Sequence, residues 1–463
     1  MTASAQALYR TVWRWHFYAG LVIAPFMFIL AVSGAVYLFN DEINDALYPH
    51  LRFVDVSAQT VPYSQLAEAA LSRFPGGKVT RIDTPRTPDR SAEIFITPET
   101  GEPVRVWVDP GTGKVLGHTI YANTLIGIAD RLHGSLLIGN WLGDGIVELA
   151  ACWGLILTVT GLYLWWPRGR GLRYFVWLDW QAPGRSFWKS LHGTIGLWTA
   201  ALILFLIITG LPWAEFWGGL LQRGASLANI GYPTSFRGYA RLTSETGKEV
   251  TGDAGPWTLN DAPMPQSGSQ SGSHGGHLHG ATSSAPSGRT AIGVDRVRDV
   301  VLREGMTDPY RLNFPKDETG VFSIFVYPDR PEGQRAIYVD QYSGRVLGDV
   351  SFADYGWLAK GVELGVQLHM GNYFGRPNQI VMLMPCIGIV ILSITGPYMW
   401  WRRRPKGKLA APRAISDPKL RTVTFIALGI GLLFPLAGAS LLAVLMGDNL
   451  VQRWLERRRR KFV

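Results

Sequence analysis

The chain has 463 residues, of which 47% are hydrophobic and only 17% charged, and its 45 Lys and Arg exceed its 35 Asp and Glu. So few charges beside 18 Trp, 17 Tyr and 20 Phe exclude a disordered chain and argue against an ordinary soluble enzyme. Two cysteines exclude a disulfide framework and a zinc or iron–sulfur site built from thiolates.

In chain order, residues 1–39 hold a basic N-terminus and a first apolar run at 17–39. Arg10 and Arg14 precede that run as they would in a cleaved signal, but it is long for a signal core and a related segment recurs later. Residues 40–132 form a first polar domain, with a helical pattern at 64–74 and strands near 78–83, 91–97 and 103–108. An interfacial segment and a second run follow at 133–166, with uncharged residues at 149–166. A basic loop at 167–189 then leads to a third run at 190–214. The second polar domain, 215–368, repeats the pattern with a helix at 294–304 and strands near 310–313, 321–327 and 335–339. It carries a Ser/Gly/Pro-rich insertion at 263–289, read as a flexible linker. A further interfacial segment and run occupy 369–401, a basic loop 402–421, a last run 422–447 and a basic tail 448–463.

Each of the five runs is long enough for a bilayer, which takes about 20 apolar residues. Arginine and lysine concentrate before the first run, in 167–189 and in 402–421, which assigns those segments to the cytoplasm and both polar domains to the outside. The basic excess is therefore a topology signal, and no nucleic-acid motif competes with it. A single fifth crossing, the expectation here, conflicts with this rule, because it exports Arg453, Arg457, Arg458, Arg459, Arg460 and Lys461. Pro435 offers a break, yet 26 residues are too few for two crossings.

The chain also repeats itself. His16 and Ser33-Gly34 recur 176 positions later as His192 and Thr209-Gly210. His133, Thr160-Gly161 and Trp165-Trp166 recur as His369, Thr395-Gly396 and Trp400-Trp401. VWVDPGTGKVLG at 106–117 matches IYVDQYSGRVLG at 337–348. The expected fold is an α-helical integral membrane protein. A span–domain–span unit is used twice to make a four-helix core, with a fifth C-terminal span and two small α+β domains outside.

Four of the nine histidines sit at span boundaries at matching repeat positions, and an ionisable group beside hydrocarbon is a functional candidate. Depth pairs His16 with His192 near the inner face and His133 with His369 near the outer face. Two opposed imidazoles suit haem iron, whereas zinc takes three or four ligands, so two pairs mean two haems. Gly34 and Gly210 fall level with the outer pair, Gly161 and Gly396 with the inner pair. Such small residues admit either a porphyrin or a neighbouring helix. His274, His277 and His279 are a weaker metal candidate (Cu, Ni or Fe) inside the linker. Cys152 and Cys386 read as inert buried thiols. Met27, Met370, Met382, Met384 and Met399 read as core filling. No phosphate loop, dinucleotide fingerprint or Ser/His/Asp pattern is present.

Arg-Trp-His at 14–16, Leu-His-Gly at 132–134 and 191–193, Leu-His-Met at 368–370 and Thr-Gly-x-Tyr-x-Trp-Trp at 160–166 and 395–401 together resemble the PepSY-associated transmembrane family. The Val-Asp-x-x-[Thr/Ser]-Gly-x-Val-Leu-Gly turns strengthen the resemblance, which covers about residues 10–404. It implies a bacterial inner-membrane protein with a cytoplasmic N-terminus and periplasmic PepSY-like domains. It further implies two haem b groups at the four span histidines and electron transfer to a ferric siderophore. The donor is then external, a quinol or a cytoplasmic flavin reductase. Two rival expectations are electron transfer to a periplasmic protein or copper, and a non-enzymatic role in which the PepSY-like domains bind peptides.

Overall fold

Four helices are long and apolar enough to cross a bilayer in the computed structural model. The structure describes residues 3–168, 171–233, 236, 256–268, 290–307, 309–404, 421–444 and 446. His274, His277, His279, most of the 263–289 insertion and the basic tail lie outside these residues.

The four long helices are α1 (Ala3–Tyr37), α6 (Trp141–Trp165), α8 (Arg185–Gly210) and α12 (Arg376–Arg403). They pack in a ring, α1 on α6, α6 on α8, α8 on α12 and α12 on α1. Their apolar residues are distributed all round, as a lipid-embedded helix requires: Ala31, Cys152, Ile203 and Cys386 are buried in the bundle, while Val22, Ile208, Ile380 and Ile387 are each more than half exposed on its outer surface. The helices extend beyond the uncharged runs, and α6 begins eight residues before the run at 149. The reason is that Asn140 accepts a hydrogen bond from the Leu142 amide and caps it there.

Between α1 and α6 the chain forms α2 (Asn40–Leu47), α3 (Pro49–Arg52), α4 (Tyr63–Leu71), four strands and α5 (Leu125–Ser135). The strands are β1 (Lys78–Asp83), β2 (Ala92–Thr97), β3 (Val104–Val108) and β4 (Val115–Thr119). α7 (Leu172–Val176) lies in the loop between α6 and α8; after α8 come α9 (Glu215–Leu227), α10 (Val294–Arg303), four more strands and α11 (Trp357–His369). These strands are β5 (Arg311–Asn313), β6 (Val321–Val326), β7 (Arg335–Asp340) and β8 (Val346–Ser351).

The turns at 109–113 and 341–344 each open into a further strand, β4 or β8, beyond the three expected in each domain. A second difference is larger. The strands do not make two sheets but one, in the order β4-β3-β2-β1-β5-β6-β7-β8. β1 and β5 would otherwise be edges with unpaired amides, and their antiparallel pairing, with Ile82 opposite Leu312, removes both edges. The seam is reinforced where Tyr310 donates its amide to the Thr84 hydroxyl and the Tyr63 and Tyr310 hydroxyls bond at 2.9 Å. α4 and α10 cover one face of the sheet through Leu66, Ala70, Val297 and Val301, packed on Ile82, Ile94, Leu312 and Ile324. α11 lies under the other face, with Ala359 and Val362 against Phe325 and Tyr338.

Glu363, wholly buried on α11, ties that helix to its surroundings. It accepts hydrogen bonds from the Thr258 amide and hydroxyl, from Gln334 Nε2 at 3.0 Å and from the Tyr327 hydroxyl at 3.2 Å. Burial nevertheless pushes its carboxyl pKa up. A carboxyl whose folded pKa lies above its unfolded value, about 4.3, stabilises fully below that value and loses the contribution as pH rises through the folded pKa. The melting temperature of the wild type in detergent should therefore fall relative to that of Glu363→Gln as pH is raised from 4 towards neutrality; an opposite trend would show that the carboxylate is the favoured buried form.

The last apolar run is not one helix. α13 (Arg421–Leu433) ends at Phe434, and α14 (Pro435–Val444) begins immediately after it. The expected uninterrupted fifth crossing is absent among the described residues, because Pro435 cannot donate a helical hydrogen bond and its ring collides with the preceding turn.

Candidate functional site

The two ends of the bundle carry the four histidines. His16 is on α1 and His192 on α8, both inside long helices. His133 and His369 end the short helices α5 and α11, which pack on α1 and α8 respectively. His16 and Ser33 are 17 positions apart on α1, as His192 and Thr209 are on α8, so the two levels are separated by about 25 Å at 1.5 Å per residue.

Every one of the four imidazoles meets a Ser/Thr-Gly pair on a neighbouring helix. His16 Nδ1 lies 2.9 Å from Thr160 Oγ1, His192 Nδ1 2.8 Å from Thr395 Oγ1, and His369 Nδ1 3.0 Å from Thr209 Oγ1. His133 Nδ1 is 3.4 Å from Ser33 Oγ and 2.9 Å from the Leu30 carbonyl.

The hydroxyls have no choice of role. Each already donates to the carbonyl four residues earlier: Ser33 to Ile29, Thr160 to Ile156, Thr209 to Phe205 and Thr395 to Ile391. Their oxygens must then accept, so each histidine donates from Nδ1–H. The Leu30 carbonyl, which can only accept, fixes the same tautomer for His133 independently. A neutral imidazole protonated at Nδ1 has its lone pair on Nε2, and none of the four Nε2 atoms has a hydrogen-bond partner among the described residues. Burial lowers the pKa of His133, and holds that of His369 at about 4, so both are neutral at physiological pH.

The rings also pair. His133 and His369 have ring centroids 6.4 Å apart and planes inclined by 79°. Two metal–nitrogen bonds of about 2 Å, plus about 1 Å from each nitrogen to its ring centre, span about 6 Å, so one metal ion fits between two such rings. The spacing of His133 and His369 thus fits an iron ion that the two imidazoles would hold between them.

The glycines make room for the rings. A Cβ on Gly34 would stand 2.9 Å from His133 Cε1, and one on Gly161 3.2 Å from His16 Cε1. The corresponding separations are 3.4 Å for Gly210 and His369 and 3.6 Å for Gly396 and His192. The sequence left open whether these glycines admit a porphyrin or a helix; the atoms they touch are the imidazoles of the neighbouring helix.

Two further groups near the sheet end have no counterpart in the sequence reading. Asp130, one turn before His133, accepts from the Tyr121 hydroxyl at 3.2 Å, with Arg105 over the Tyr121 ring. Glu148, only 2% exposed on α6, accepts from the Phe216 and Trp217 amides and caps α9. An acidic residue abutting an apolar run was the available signal, but its partners are 68 and 69 positions away.

A membrane bundle that holds four neutral, singly oriented imidazoles beneath an antiparallel sheet defines the class of the molecule. Residues 13–403 match the PepSY-associated TM region, and the chain belongs to that family. No curated protein matches it.

The graded clearances generate a prediction. Alanine in a helix gains roughly 1 kcal/mol over glycine, whereas overpacking costs about 1–3 kcal/mol. Gly34→Ala should therefore lower the melting temperature in detergent, while Gly396→Ala should leave it unchanged or raise it. Equal tolerance of both substitutions would mean that the His133 ring is not confined.

Proposed function

We propose that the protein is an inner-membrane reductase that passes electrons outward to a ferric siderophore and releases Fe(II). The observation that carries this reading is the set of four imidazoles, each donating from Nδ1 and none with an Nε2 partner among the described residues, two near each end of one bundle. His16 and His192 would hold an inner haem b, and His133 and His369 an outer one. Haem bound there supplies one-electron transfer between the two faces.

The chain's own residues orient, insulate and receive. Ser33, Thr160, Thr209 and Thr395 hold the Nδ1 protons, so each ring presents the same nitrogen. The apolar bundle keeps water from the ligands. The basic segments of the sequence orient the N-terminus and the 167–189 loop to the cytoplasm, so the sheet is periplasmic and the ferric chelate arrives at the His133–His369 level. Hard oxygen donors bind Fe(III) tightly; one added electron lowers the cation's charge and weakens the chelate, and no acid–base step is needed. The sequence holds no flavin or nicotinamide motif, so a quinol or a cytoplasmic flavin reductase supplies the electrons.

Purified protein should give two haems per chain by pyridine haemochrome, and lack of any Soret band would refute the proposal. His16→Ala or His192→Ala should halve that value and leave the spectrum of the outer haem, while His133→Ala or His369→Ala should do the converse. Dithionite-reduced protein should be reoxidised by ferric siderophores. Reoxidation by copper or a periplasmic protein, with none by ferric chelates, would redirect the electrons to those acceptors.

A further inference from the structure

α13 and α14 do not continue one another: they fold back side by side. In a straight helix, residues seven apart are separated by about 10 Å. Here a Cβ on Gly431 would stand 3.5 Å from the Gly438 Cα, and one on Gly438 would overlap the Gly431 Cα. The two backbones touch three residues before Phe434 and four after it. Only a hairpin does this, and only glycine permits so close an approach of two helices.

The hairpin is seated in the bundle. Phe434 at its tip is 6% exposed and Ala437 is fully buried, in one cluster with Cys152, Ile203 and Leu211. Backbone at a break inside lipid must find partners. Phe434 serves both arms, donating its amide to the Ile430 carbonyl and accepting at its carbonyl from the Gly438 amide, while Trp217 Nε1 donates to the Leu433 carbonyl at 3.0 Å. Further along the second arm, Ser440 accepts from Trp153 Nε1 at 3.0 Å. Trp217 is held at the level of Glu148 on α6, and Trp153 lies five residues deeper on that helix, about 7 Å away from the sheet end. The second arm therefore runs back into the bilayer. The outer faces of both arms, with Phe425, Leu428, Leu442 and Val444 each more than 60% exposed, need lipid around them.

Length agrees. The 13 residues of α13 rise about 20 Å, two thirds of a hydrocarbon core of about 30 Å, so neither arm by itself spans the core, although the tip is seated at the level of Trp217. Neither arm has to cross, and the shortage of residues for two crossings disappears.

We infer that residues 421–444 form a re-entrant hairpin that enters and leaves by the same membrane face, which returns the chain after it to the side of the 402–421 loop. Arg453, Arg457, Arg458, Arg459, Arg460 and Lys461 then lie where a cytoplasmic leaflet with anionic headgroups favours them, and the conflict with the charge rule is resolved.

The side of the tail is measurable in the full-length protein, whatever its absolute orientation and whether or not haem is present. The native cysteines are buried, so Val463→Cys can be compared with Gln59→Cys, exposed at the sheet end, and Arg173→Cys, exposed in the loop between α6 and α8. With a membrane-impermeant maleimide on intact spheroplasts and on inverted vesicles, Val463→Cys should react in the same preparation as Arg173→Cys. Reaction together with Gln59→Cys would overturn the hairpin in favour of a full crossing. If the thiol reacts in neither preparation, alkaline phosphatase fused after Val463 decides: an inactive fusion supports the hairpin and an active one overturns it.

Discussion

Everything at the histidine levels rests on one kind of hydrogen bond, from an imidazole Nδ1–H to an oxygen whose own proton is already committed. A threonine in a helix normally donates to the carbonyl one turn back. That habit, of little consequence elsewhere, here makes the hydroxyl a pure acceptor and removes the tautomeric freedom of histidine. The adjacent glycine lets the ring come close enough for the bond to form. A two-residue pair thus sets distance and protonation together, on a helix other than the one bearing the histidine. The bundle must be assembled before any imidazole is oriented.

The short helices α5 and α11 have a related job. The backbone of His16 or His192 is held by the long helix that carries it, and only the ring is oriented from a neighbour. His133 and His369 sit on segments fastened on both sides, to α1 or α8 by their imidazoles and to the sheet region by Asp130 and Tyr121 or by Glu363 and its four donors. The polar anchors lie within two turns of the rings, so the sheet and the bundle jointly decide where these two side chains stand.

Much of this was legible in the sequence. Apolar length announced the four long helices, and the alternation in 78–83, 91–97 and 321–327 announced strands that the structure begins and ends within a residue or so. His16, His133, His192 and His369, with their Ser/Thr-Gly pairs, stood out because they recur in register. What escaped depends on contacts that pattern does not encode. The merger of two sheets at β1 and β5 joins residues some 230 positions apart, and nothing in the alternation of Arg81, Ile82 and Asp83 says which strand lies beyond. Glycine in both β4 and β8 weakens the strand signal. The break at Phe434 is visible as Pro435, but apolar length alone does not distinguish an arm that crosses the core from one that turns back within it. The Gly431–Gly438 contact, which shows that neither does, belongs to the folded chain.

The single sheet has a consequence for access. Two lobes on separate stems could part like the shells of a clam, exposing whatever lies beneath. Here parting them would rupture the β1–β5 ladder and the Tyr63–Tyr310 bond in the middle of a continuous surface. The roof over His133 and His369 is therefore a fixed vault that neither lobe can open by swinging away from the other.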